Sequence, residues 1–73
     1  MESVFITSEY ITLGQFLKFL GKISNGGEAK IFINNNKIMV NGEEETRRGR
    51  KIYPNDVVFI DKEGFLIKKD EDK

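Results

Sequence analysis

The sequence contains no cysteine, histidine or tryptophan, and it has a single proline. Without cysteine and histidine the chain can form no disulfide, no zinc site built from those residues, and no thiolate or imidazole catalyst. Lysine or carboxylate catalysis remains chemically possible, but 73 residues leave little core in which a pocket could shift the pKa of such groups. We therefore expect no enzyme activity, no metal and no cofactor.

Long apolar runs are also missing. Nothing approaches the ~20 consecutive apolar residues of a membrane span, and the acidic start, with its short apolar run, does not resemble a signal peptide. We expect a cytoplasmic protein with no membrane partner. Its length predicts one domain over residues 1–73, and we expect a monomer. The domain should be marginally stable, because so small a chain buries only roughly 60% of its unfolded surface.

Two helices are predicted in the first half of the chain. Thr12 and Gln15 have the spacing of a capping box, and an apolar stripe follows at helical spacing, formed by Leu13, Phe16, Leu17 and Leu20. A second helix is expected from about residue 27 to 35. Asn34, Asn35 and Asn36 would end it, because asparagine readily adopts the left-handed C-terminal conformation.

The remaining apolar runs predict a sheet. Residues 4–7 resemble an edge strand, residues 38–40 a strand, and residues 57–60 a central strand. Asn41-Gly42 indicates a type I′ hairpin turn, after which residues 43–46 would run back. A second hairpin turn at residues 62–64 would lead to a closing strand at 65–67 and a frayed tail at 68–73. We expect four phenylalanines in the core: Phe5, Phe16, Phe32 and Phe59.

These elements predict an α+β domain in which two helices pack against one face of a small, mostly antiparallel sheet.

Positive charge is concentrated in the middle of the chain. All three arginines lie in residues 47–51, here called the basic segment, although the formal net charge is zero. Residues 18–51 carry a net charge of +4, whereas residues 1–17 and 52–73 carry −2 each. Arginine presents a planar set of donors that suits phosphate oxygens, so the pattern predicts a nucleic-acid interface.

The candidate contacts extend from the basic segment to both helices. Lys18 and Lys22 are one helical turn apart, and Lys30 lies in the first turn of the second helix. The glycines before that helix allow close backbone approach, and unpaired N–H groups at a helix start attract phosphate. The predicted nucleic-acid-binding residues are Lys18, Lys22, Gly26, Gly27, Lys30, Arg47, Arg48, Arg50 and Lys51.

The order of these features resembles the RNA-binding domain of small-subunit ribosomal protein S-four. The resemblance covers about residues 12–60 and is carried by Leu13 to Leu20, Gly26-Gly27-Glu28-Ala29-Lys30, Lys37-Ile38-Met39-Val40-Asn41-Gly42 and Pro54-Asn55-Asp56-Val57-Val58. The Gly-Gly-Glu-Ala-Lys and Glu-Thr-Arg-Arg-Gly-Arg-Lys pieces are similar to the short stand-alone bacterial, YaaA-like branch. Thr12-Leu13-Gly14 departs from the family's common Arg-Leu-Asp, so we do not expect the RNA contact that the resemblance assigns to that arginine.

The resemblance implies the family's two-helix motif, the alpha-L motif, and binding of structured RNA, often ribosomal, with ribosomal or assembly proteins as possible partners. Two other interpretations remain open. The chain could be a protein-interaction adaptor that uses the acidic residues 43–45 and the edge strand, or a DNA-binding module in replication or repair. Residues 43–45 could also pair with the neighbouring arginines or with charges across the hairpin.

Overall fold

The structure is a computed structural model that describes residues 1–70. In chain order its elements are β1 (Glu2–Ile6), β2 (Ile11–Thr12), α1 (Leu13–Phe19), a 3-10 turn (Gly26–Glu28), α2 (Ala29–Asn35), β3 (Ile38–Val40), β4 (Glu43–Glu44), β5 (Lys51–Ile52), β6 (Val57–Ile60) and β7 (Glu63–Lys69).

Five strands form one sheet in the order β1-β7-β6-β3-β4. The first strand pairs parallel with the last, and every other pairing in this sheet is antiparallel. The α+β prediction is therefore confirmed, as are the edge position of β1 and the central position of β6. The separate two-stranded ladder of β2 and β5 was not foreseen, because two-residue strands have no periodicity to detect.

The core lies between the helices and one face of the sheet. Its buried side chains are Val4, Ile6, Leu13, Phe16, Leu17, Ile23, Ala29, Ile33, Ile38, Val40, Ile52, Val58, Ile60, Phe65 and Ile67. The rings of Phe16 and Phe65 meet edge-on, with centroids 5.6 Å apart, which packs α1 directly on β7.

Two of the predicted core phenylalanines lie instead on the outer face of the sheet. Phe5 is 54% exposed and Phe59 is 37% exposed. Successive side chains of a strand point to opposite faces, and the buried Val4, Ile6, Val58 and Ile60 occupy the inner face. The apolar run in β6 therefore does not indicate burial on both sides.

Helix α1 begins as predicted. The Thr12 side chain accepts from the Gln15 amide and the Gln15 side chain accepts from the Thr12 amide, at 3.2 and 2.9 Å. The helix is short, because Gly21 adopts a left-handed conformation (φ 79°) and the Lys22 amide donates back to the Leu17 carbonyl oxygen. A left-handed glycine and a hydrogen bond of this kind are both typical of a helix C-terminus.

Helix α2 ends at Asn35 as expected, but the predicted reason was wrong. Asn36 is extended (φ −136°), and neither Asn34 nor Asn35 has a positive φ. The Asn36 side chain instead donates to the carbonyl oxygen of Phe32 at 2.9 Å, satisfying one carbonyl of the last turn.

Within residues 1–70 no helix is long and apolar enough to cross a membrane.

The Asn41-Gly42 hairpin turn is confirmed, with positive φ at both residues (52° and 87°). Of the expected return strand, Glu43 and Glu44 form β4 and pair with β3, and the Glu45 amide still donates to the carbonyl oxygen of Ile38 at 2.8 Å. The second hairpin turns at residues 61–62 rather than 62–64, with Asp61 at φ 53°.

The predicted frayed tail begins later than expected. Lys68 and Lys69 belong to β7, where they pair with Phe5 and Ile6. The rest of the predicted tail, residues 71–73, lies outside the described residues.

Candidate nucleic-acid interface

The basic segment lies against the N-terminus of α1. The amides of Leu13 and Gly14 donate to the carbonyl oxygens of Arg50 and Arg48, each with an N···O distance of 2.8 Å. Immediately before the helix, Thr12 pairs with Lys51 in the β2–β5 ladder. Two amides that a helix start leaves unpaired thus fasten this loop to α1.

Two of the predicted binding lysines, Lys18 and Lys30, lie near the side chain of Arg48. Its Nη1 donates to the carbonyl oxygen of Gly26 at 3.2 Å, which places the exposed guanidinium between the two helices. One open crevice of about 420 Å³ is lined by Lys18, Gly26, Arg48 and their neighbours. A second, of about 410 Å³, is lined by Gly27, Lys30, Thr46 and Arg48.

Arg47 and Arg50 contact a carboxylate of the chain itself. Glu45 is 6% exposed, and its oxygens accept from Arg47 Nε and Nη2 at 2.9 and 3.1 Å and from Arg50 Nη1 at 2.7 Å. The Arg47 side-chain hydrogen bond is the main reason that the pKa of Glu45 is lowered from 4.5 to about 2; burial opposes the shift, and the Arg47 amide and Arg50 add to it. The same contact raises the pKa of Arg47.

Glu45 is a residue of this loop that sequence reasoning did not separate from its two glutamate neighbours. Residues 43–45 resemble three equivalent solvated glutamates, yet Glu43 and Glu44 are exposed and Glu45 is buried. Its position two residues before Arg47 was the available signal. Of the interpretations left open for these residues, pairing with the neighbouring arginines is therefore confirmed for Glu45.

Lys51, the last residue of the basic segment, lies over an aromatic ring. Its Nζ is 4.9 Å from the centroid of Tyr10, a cation–π geometry, and the Tyr10 and Tyr53 rings lie 5.6 Å apart. Lys51 lines a third crevice with Arg47 and Arg50, and neither Lys18 nor Lys30 lines it.

Lys22 does not line any of the three crevices formed by the basic segment. The prediction that it shares a helical face with Lys18 was wrong, because α1 ends at Phe19. Its Nζ instead forms an ion pair with Glu63 at the start of β7, at 2.7 Å.

The backbone around Gly26 and Gly27 also differs from expectation. The Gly27 amide donates to Asn25 Oδ1 at 2.9 Å, the Glu28 amide to the Asn25 carbonyl oxygen at 3.1 Å, and the Ala29 amide to the Gly26 carbonyl oxygen. The amides of Gly27, Glu28 and Ala29 are therefore already hydrogen-bonded within this turn.

The side chains that meet around Arg48 are cationic. Residues 1–70 contain no group of three or more potential ligand side chains that could hold a metal ion. Lys18, Lys30 and Arg48 line two adjoining crevices, and ammonium and guanidinium groups there can bind phosphate oxygens.

The chain is similar to known proteins over most of its length. The family model of the S4 domain matches residues 4–68. The chain is also similar to the probable ribosome maturation protein RlbA of Bacillus subtilis (strain 168), with 53% identity over 60 residues that cover 82% of each chain. A match over most of the length, together with this identity, shows the family: the chain belongs to the S4 domain family.

Proposed function

We propose that this protein is an RNA-binding module that recognises structured, ribosomal RNA through backbone phosphates and acts in the cytoplasm in ribosome maturation, without performing chemistry. The S4 domain match and the name of its Bacillus relative support this role. Ribosomal or assembly proteins are the expected neighbours of such a complex.

The observation that carries the proposal is the convergence of cations on Arg48. The two crevices on either side of Arg48 each contain one lysine, Lys18 in the first and Lys30 in the second. Three cations along one surface suit successive phosphates of a backbone. Because side chains cannot read the deep, narrow major groove of A-form RNA, this surface would recognise shape rather than base sequence.

The test is retention of the protein on a structured ribosomal RNA fragment, compared with duplex DNA of equal length, across a salt series. Three phosphate contacts predict that log K falls with log salt at a slope of roughly 2 to 3. Replacing Lys18, Lys30 and Arg48 by glutamine should remove most of that slope. The matched control removes three other exposed cations by changing Lys62, Lys68 and Lys69 to glutamine, and should retain most of the affinity.

The DNA-binding interpretation makes the opposite prediction in the same experiment. Equal or tighter retention on B-form DNA, with the same salt slope, would favour it and contradict the RNA proposal.

An adaptor function is favoured by a different part of the molecule. Strand β1 lies at the sheet edge, next to an open groove of about 700 Å³ whose lining includes Phe5, Tyr10 and Phe19. An extended peptide could add to this edge. The acidic residues 43–45 offer a partner less negative charge than the sequence predicts, because Glu45 is buried. Glutamine at positions 47, 48 and 50 would leave such a complex intact while abolishing RNA binding.

A further inference from the structure

Glu45 is the one charged residue that is buried among residues 1–70. Its carboxylate accepts five hydrogen bonds, from the amides of Thr46 and Arg47, from Arg47 Nε and Nη2, and from Arg50 Nη1, at 2.7 to 3.1 Å. A buried carboxylate is costly unless it is paired and hydrogen-bonded, and here all its partners lie in the next five residues. Glu45 therefore holds the loop that contains the basic segment.

The same loop is held from its other side by α1. The carbonyl oxygens of Arg48 and Arg50 accept from the amides of Gly14 and Leu13. With Glu45 on one side and the helix start on the other, the backbone of Arg48 is constrained, and its guanidinium reaches Gly26. The loop thus sets the position of the cation that both crevices share.

The contacts also divide the arginines by role. Arg50 has a side chain 29% exposed and Arg47 one 73% exposed, and both give donors to Glu45. Arg48 has no carboxylate partner within hydrogen-bond distance among the described residues. Glu45 and its two arginine partners together carry a net charge of +1, and Arg48 is the arginine of the segment whose side chain donates to a carbonyl oxygen instead of a carboxylate.

We propose that Glu45 is a positioning residue for RNA binding: by ordering residues 46–50 through Arg47 and Arg50, its carboxylate places Arg48 between Lys18 and Lys30 for phosphate contact. This inference rests on the proposed function. Ordering the loop before binding lowers the conformational entropy lost in the complex.

The proposal can be separated from simple charge counting because the two predict opposite signs. Removing a negative charge from a protein should strengthen its attraction to a polyanion. Positioning predicts instead that Glu45→Gln weakens binding to the ribosomal RNA fragment by roughly two- to tenfold, as the cost of ordering the released side chains. Glu44→Gln, which makes the same charge change at an exposed neighbour, should bind as tightly as the wild type or more tightly.

The measurement is a filter-binding titration across a salt series, well below the Tm of each variant and with the folded state checked by circular dichroism. Weaker binding of Glu45→Gln at every salt concentration, with a slope no smaller than that of the wild type, supports positioning, since the cations are all still present. Equal or tighter binding overturns it while leaving RNA binding intact.

Arg47→Lys provides a second variant if Glu45→Gln does not fold. It keeps the positive charge but loses the two-point contact of Nε and Nη2 with Glu45. Weaker binding again supports positioning, and unchanged binding overturns it. A wild-type protein that shows no preference for the RNA fragment would overturn the proposed function itself, and this inference with it.

Discussion

The amide of Gly14 donates to the carbonyl oxygen of Arg48 across 2.8 Å, joining the first turn of α1 to a loop more than thirty positions later in the chain. A Cβ atom at position 14 would lie 3.5 Å from that oxygen and 3.7 Å from the Cβ atoms of Ala29 and Arg48. The position therefore has room for one methyl group and little more.

The first prediction concerns this contact. Gly14→Ala should keep the fold and raise the free energy of unfolding by up to ~1 kcal/mol, because alanine is the better helix former and its methyl group meets only ordinary contacts. Gly14→Leu should lower it by about 1–3 kcal/mol, because the longer side chain must displace the loop or Ala29. Urea denaturation of both variants tests this; equal stability of Gly14→Leu and Gly14→Ala would contradict the tight approach.

The second prediction concerns the capping box of α1. Thr12→Ala removes the acceptor for the Gln15 amide and should reduce the free energy of unfolding by about 0.5–2 kcal/mol. Thr46→Ala is the matched control, because the side chain of Thr46 is exposed and forms no hydrogen bond within residues 1–70. Thermal denaturation compares the two, and a larger loss for the Thr46 variant would argue against the cap.

The third prediction is a dependence of stability on pH. The pKa of Glu45 is lowered from 4.5 to about 2 in the folded protein, so its contribution is present above pH 4.5 and is lost as the pH falls through about 2. The shift corresponds to at most about 3 kcal/mol, reduced by solvent screening at the exposed Arg47.

Urea denaturation of wild type and Glu45→Gln between about pH 5 and 2 measures this contribution. The wild type should lose stability more steeply than the variant in this window, because the variant has no carboxylate to protonate at position 45. Parallel curves would show that the Glu45 carboxylate is not stabilised by its arginine partners.

The fourth prediction distinguishes two lysines that looked equivalent in the sequence. Lys18→Gln should weaken RNA binding and reduce the salt slope by roughly 0.7–0.9, the value for one phosphate. Lys22→Gln should change RNA binding little, because Lys22 pairs with Glu63. It should cost no more than about 1 kcal/mol of stability, as is usual for an ion pair at the surface. Equal losses of affinity in the two variants would place Lys22 in the interface.

Local features of this protein were determined by the sequence alone. The capping box of Thr12 and Gln15, the apolar stripe of α1 and the Asn41-Gly42 turn all depend on residues within a few positions of one another, and all are present. The α+β class and the family followed from the order of such local signals.

Only the tertiary structure decided which distant residues meet. It turned Phe5 and Phe59 to the outer face of the sheet, paired Lys22 with Glu63, and brought Arg48 to Gly26. It also buried Glu45 while its two glutamate neighbours stayed exposed. These outcomes depend on strand register and on where α1 ends. Both are set by packing between segments far apart in the chain, and spacing along the sequence does not reveal such packing.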